Sequence, residues 1–128
     1  MKYFTILCSL LAFVLCGCSG TKQLPSEFSQ QFSTADRLEV TNRYYLFGTS
    51  VSGADVSSLT KAIKSARKKT RGADADCDWD VKFYSGTNYL AVIHLNRDVI
   101  MVEDVQYHDG TGFVMTFWQK LVKAATAR

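Results

Sequence analysis

The residues with chemical potential are few and lie close together in the chain. Asp74, Asp76, Asp78 and Asp80 alternate, so an extended backbone would set all four carboxylates on one side, and Cys77 stands among them. Three alternating aspartates are how a calcium loop begins, but Trp79 occupies the place of its glycine and Ser85 that of its bidentate glutamate. A solvated acidic edge that discourages strand pairing accounts for the run better. His94 and His108 are the imidazoles that a Cys77 nucleophile could use. Thiol catalysis needs a thiolate, however, and neighbouring carboxylates raise the thiol pKa. His94 lies in an apolar run and reads as a packed, hydrogen-bonded side chain. No glycine-rich phosphate loop, nucleophile elbow or metal-ligand spacing occurs. The expectation is a protein that is not an enzyme, without catalytic residues, metal or cofactor.

The most specific stretch lies at the other end. After Met1-Lys2 the chain is almost wholly apolar from Tyr3 to Cys16. Fourteen helical residues would reach roughly 21 Å, short of the ~30 Å of a hydrocarbon core, so the run suits a signal-peptide core rather than a membrane span. It ends in Leu15-Cys16-Gly17-Cys18. Of the cysteines here, Cys18 has a small residue before it and an aliphatic one three places upstream; Cys8 and Cys16 follow bulky leucines. The stretch resembles the lipobox of bacterial lipoproteins. That resemblance implies cleavage between Gly17 and Cys18, a thioether-linked diacylglycerol on Cys18 and a third acyl chain on the new amine. One chain of myristoyl length binds a bilayer only marginally, on the order of 10⁴ M⁻¹, whereas two or more hold firmly. Ser19 after the cysteine resembles the choice that sends Gram-negative lipoproteins to the outer membrane, facing the periplasm or the surface. The implied partners are the membrane itself and the maturation and sorting machinery.

Loss of residues 1–17 from the 128 leaves 111, one domain and a tether. Only Cys77 then accompanies Cys18, so no internal disulfide forms. A net charge of +3 over the whole chain is too mild to argue for nucleic acid. Residues 18–35 are rich in Ser, Thr and Gln and contain the single proline, Pro25. They read as the tether, about 20–25 Å across as a flexible coil. Leu24, Phe28 and Phe32 recur every fourth residue and form a patch expected to dock on the domain, with disorder as the alternative.

Residues 36–128 read as one α+β domain. Arg37–Gly48 has the alternation of a first strand. Ser52 with Asp55 resembles a capping box, opening a helix whose Val56, Leu59, Ala62, Ile63 and Ala66 share a face. Lys61, Lys64, Arg67, Lys68 and Lys69 gather on the opposite face. This is a solvated face by default, and anionic lipid heads are its alternative contact. Trp79–Ser85, Tyr89–Leu95 and Val99–Tyr107 follow as strands joined by short turns, the middle one apolar enough to be covered on both sides. Asp109 or Thr111 caps a last helix, whose Phe113, Phe117 and Leu121 line up with Val114, Trp118 and Val122. The expected fold is an antiparallel sheet of about four strands in the order strand-helix-strand-strand-strand-helix, with two helices packed on it.

Function follows less directly. Tyr44, Tyr45, Phe47, Tyr84, Tyr89 and Tyr107 are mostly core, and whatever part stays exposed is the default partner surface. The reading is a lipid-anchored, non-enzymatic envelope module that binds another envelope component. The alternative is a periplasmic inhibitor or immunity-type protein that places its acidic 74–80 edge in the basic cleft of a toxin or hydrolase.

Overall fold

Leu38 and Val40 leave the first strand on the same side because side chains alternate along an extended chain, and that parity sets the core of the whole sheet. The computed structural model describes residues 30–70, 72 and 74–127. Its elements are β1 (Arg37–Asn42), β2 (Phe47–Ser52), α1 (Ala54–Ser65), β3 (Arg67–Lys68), β4 (Trp79–Ser85), β5 (Asn88–Asn96), β6 (Val99–Val102), β7 (Val105–His108) and α2 (Phe113–Thr126). Residues 30–32 are also helical. The strands form one antiparallel sheet in the order β2-β1-β4-β5-β6-β7-β3. The architecture is α+β, with seven strands where about four were expected.

Three local events account for the difference. The first expected strand breaks at residues 43–46, a turn that contains neither glycine nor proline. Buried Asn42 makes it: its Oδ1 accepts the backbone N–H of Tyr44 at 2.9 Å and of Tyr45 at 3.2 Å, and Leu46 takes a positive φ of 50°. The last expected strand likewise folds into β6 and β7 around Glu103 and Asp104, at φ 48° and 67°. Two positive φ values in a two-residue hairpin are the signature of a type I′ turn, usually made by Asn-Gly. Third, α1 ends early. Ala66 turns extended at ψ 143°, and Arg67–Lys68 pair with His108 and Tyr107 of β7 instead of continuing the helix.

The strained I′ turn gives a direct test. Left-handed backbone costs an L-residue roughly 1–2 kcal/mol, which Gly avoids and Asn lowers. Glu103→Asn with Asp104→Gly is therefore expected to stabilise the domain by about 1 kcal/mol. The gain would be read as a higher urea midpoint at unchanged slope.

The helices pack on one face of the sheet. Leu38, Val40, Trp79, Val81, Phe83, Ile93, Leu95 and Ile100 meet Val56, Leu59, Ala62 and Ile63 of α1 and Val114, Phe117 and Leu121 of α2, all buried. Each Val, Leu, Ile or Phe among them contributes roughly 1.5–3 kcal/mol when fully buried. Phe32 joins this core, its ring 4.5 Å from that of Phe83. Leu24 and Phe28 of the same apolar line fall outside the described residues, as do Gly17, Cys18 and the apolar leader.

The helix starts differ in chemistry. Ser52 does not cap α1, because it still belongs to β2; Gly53, at φ 80° and ψ −141°, turns the chain into the helix without a side-chain cap. Asp55 instead meets Lys120 of α2 at 3.3 Å. At α2 the expected cap is present and shared. Asp109 accepts from Thr111 N, Thr111 Oγ1 and, at 2.8 Å, the buried Val114 N, while Thr111 Oγ1 accepts from Phe113 N at 3.2 Å.

β5 is covered on one face only. Ile93 and Leu95 are buried beneath the helices, whereas Leu90, Val92 and His94 are half-buried and Tyr89 is exposed. Beyond its Asn96 end the second face of the sheet carries the irregular segment 74–78. The Gln106 side-chain amide pairs with both backbone groups of Ala75, accepting at 2.9 Å and donating at 2.8 Å, and Asn96 Nδ2 donates to Asp76 O at 2.8 Å. Gln106 and Asn96 alternate with the core residues Tyr107 and Leu95, so the segment crosses the helix-free face toward β4.

Candidate docking surface

The acidic run is not a sheet edge. Asp74, Asp76 and Asp78 ride on the crossing segment, the first two exposed, and Asp80 lies in β4 between β1 and β5. The edge that carries protective charge is β3, and its charges are basic. Among the described residues no three His, Cys, Asp or Glu side chains are placed to hold a metal ion.

Asp80 and His94 sit directly opposite on β4 and β5, and Oδ1 lies 2.6 Å from Nδ1. A carboxylate that orients an imidazole is half of a nucleophilic triad. The other half would have to sit on the free side of the ring, where His94 faces Met101 of β6; Thr41 lies beyond the carboxylate. The pair is a cross-strand contact rather than a charge-transfer chain. His108 Nδ1 lies 3.5 Å from Asp98, and no hydrogen bond joins either imidazole to Cys77 among the described residues. Sequence reasoning had placed His94 as a packed side chain but gave no sign of Asp80 as its partner.

Cys77, itself on the crossing segment, is half-buried. Burial pushes its thiol up to about 11 from 9.0, helped by Asp78, Asp76 and Asp74 and opposed by Lys69. At pH 8 the folded chain therefore holds about one hundredth of the thiolate of an ordinary cysteine. Iodoacetamide labelling of Cys77, read by peptide mass, is expected to be slower by about that factor in buffer than in urea. The sign for stability follows. Below pH 9 both states keep the proton; between pH 9 and 11 the unfolded chain loses it first, so stability declines as pH rises across that window.

A groove of about 580 Å³ runs between α1 and the start of α2, lined by Ser58, Lys61, Thr111, Phe113 and Thr116. The free N–H groups of that helix start would attract an anion, but Asp109 already accepts from Val114 N and Thr111 from Phe113 N. On the helix-free face Arg37 stacks over Tyr84 at 4.5 Å, and a bulge at Phe83/Tyr84 sets the Tyr84 and Tyr89 rings 5.8 Å apart. Arg37 also pairs with Glu39, so the cation there is already engaged.

The β1–β2 hairpin tip stands apart from these. Tyr44 is 76% and Leu46 85% exposed, with Tyr45 at 41% beside them. Large apolar side chains grouped on a tip are unusual without a partner, since isolated exposed ones are common but clusters are not. The tip is also stiffly held. Asn42 fixes the turn from below, at the expense of a buried Nδ2 that finds no acceptor among the described residues. Trp79, 1% exposed, supports it, with the rings of Tyr45 and Phe47 each 6.0 Å away. Of the aromatics singled out from sequence, Tyr107 is buried, Phe47 and Tyr84 half-buried, and Tyr44, Tyr45 and Tyr89 exposed. Leu46, which the sequence did not single out, is the most exposed of the group.

No protein-family model matches the chain, and no curated protein or solved structure matches it.

Proposed function

We propose that the chain is a lipid-anchored, non-enzymatic cell-envelope protein, held through Cys18 in a membrane and presenting the β1–β2 hairpin tip to another envelope protein. Ser19 favours the outer membrane as its site. The observation that carries the binding half is the stiff tip that leaves Tyr44 and Leu46 exposed. Tyrosine dominates binding hot spots, and a preformed turn spares the ordering entropy that a loop would lose on association. The anchoring half rests on Leu15-Cys16-Gly17-Cys18.

A photo-crosslinking residue at position 44, in chain expressed in its host, tests the surface. A discrete adduct is expected, lost on Leu46→Asp, with none from the same residue at Ser57 on exposed α1. Equal labelling from both positions would contradict the assignment.

The second reading is the inhibitor, favoured by one feature. The exposed Asp74 and Asp76 sit on backbone pinned by Gln106 and Asn96, so the two carboxylates form a fixed ledge suited to a basic cleft. Asp74→Lys with Asp76→Lys would then abolish capture of the target and leave Tyr44 crosslinking intact.

A further inference from the structure

The two neighbours of β5 cover it unequally. β4 pairs along almost its whole length, from Asn88 to Leu95. β6 pairs with His94, Leu95 and Asn96 alone, because the turn at Glu103 and Asp104 sends the chain back into β7. Tyr89–Val92 therefore form a short open edge inside the sheet, roughly 13 Å long. The Arg97–Asp98 turn closes on the Asn96–Val99 pair, so alternate residues of β5 aim N–H and C=O toward β6. Val92 is next in that series, and among the described residues no strand meets it there. A groove of about 310 Å³ follows this edge, lined by Tyr89, Leu90, Val92, Glu103, Gln31 and Phe32. Sheets commonly cover such an edge with a helix or loop.

We propose that this groove is the docking site of the chain's own apolar line, with Phe28 against Tyr89–Val92 and Leu24 beyond it. The described chain begins at the groove itself: residues 30–32 are helical, Gln31 and Phe32 line it, and Phe32 is 1% exposed. On a helical face the preceding members of that line are Phe28 and Leu24, about 6 and 12 Å from Phe32 along the axis, a span that matches the open edge. Both lie outside the described residues. Phe28 stands two positions before Gln30, so it meets the groove at a high effective concentration that no outside segment shares. A strand from another chain would find only Tyr89–Val92 to pair with, shorter than the usual five or six residues. The half-buried Leu90 and Val92 offer the apolar wall that Phe28 and Leu24 need. One consequence rests on the proposed anchor at Cys18. Docking shortens the free tether to Ser19–Gln23, which reaches at most about 17 Å, and so holds the domain close to the head groups.

The test uses the full chain in detergent micelles. A benzophenone residue at position 28 is expected to give an adduct within the same chain that maps by peptide mass to Tyr89–Val92 or to Val102 and Glu103. The same residue at Thr21 is expected to give no discrete adduct. Leu24→Asp with Phe28→Asp should speed amide exchange at Val92 by about tenfold or more. Val81, paired on both sides in β4, should keep its protection and so report that the fold is intact. Adducts from position 28 that map elsewhere or to another copy, equal adducts from positions 21 and 28, or exchange at Val92 that the double variant leaves unchanged would overturn the proposal. None of these readouts depends on acylation of Cys18 or on Tyr44 crosslinking, so docking and anchoring fail separately.

Discussion

Trp79→Ala is expected to cost about 3–5 kcal/mol, the usual loss when a fully buried aromatic is cut back to a methyl. Trp79 is 1% exposed and opens β4, opposite Asn42 of β1 and Leu95 of β5. Its ring supports Tyr45 and Phe47, so the void would lie where the core meets the hairpin. Against a typical total of roughly 5–15 kcal/mol this is a large share, and the melting temperature should fall by at least about 10 °C. The half-buried Trp118 on α2 remains as a fluorescent reporter for urea unfolding. Tyr44→Ala, at an exposed position on the same hairpin, should change stability by less than about 0.5 kcal/mol. A Trp79→Ala loss as small as that of Tyr44→Ala would mean that the tip is not built on the core.

Asp109→Ala is expected to cost about 2–4 kcal/mol. Its carboxylate is buried and accepts from three donors at the start of α2, with a negative charge where the helix dipole favours one. Removal loses a cap worth roughly 0.5–2 kcal/mol and strands the buried Val114 N–H at a further ~1–3 kcal/mol. Asp109→Asn keeps one acceptor oxygen and should fall between Ala and the parent. Because Phe117 and Leu121 of α2 lie in the core, unfolding should remain one cooperative transition with a lower urea midpoint. If Ala and Asn prove equally mild, Thr111 alone caps the helix.

The parts of the fold legible in the sequence were those in which local pattern and tertiary demand agree. The helix-side stripe of α1, the alternation of Trp79, Val81 and Phe83, and the cap at Asp109 and Thr111 all satisfy one periodicity with ordinary chemistry. The two hidden hairpins are the converse. Arg43–Leu46 and Glu103–Asp104 turn without the glycine or asparagine that favours positive φ, so Asn42 and the flanking strand pairing must impose the bend. Arg67 and Lys68 continue the helical pattern of α1 in sequence, yet β7 offers a strand partner and takes them. The crossing segment 74–78 was illegible for a further reason: the Gln106 that fixes it is 31 residues from Ala75. At the exposed hairpin tip the aromatics were visible in the sequence. Their exposure was not, since it depends on that unmarked turn.

The central claim is that Cys18 carries the chain in a membrane, and one measurement addresses it directly. Intact mass spectrometry of the mature protein, extracted from host membranes, should give a polypeptide that begins at Cys18 with the mass of diacylglycerol and a further acyl chain added. The Cys18→Ala chain should show no such addition. An unacylated mature chain, or one that begins elsewhere, would contradict the account.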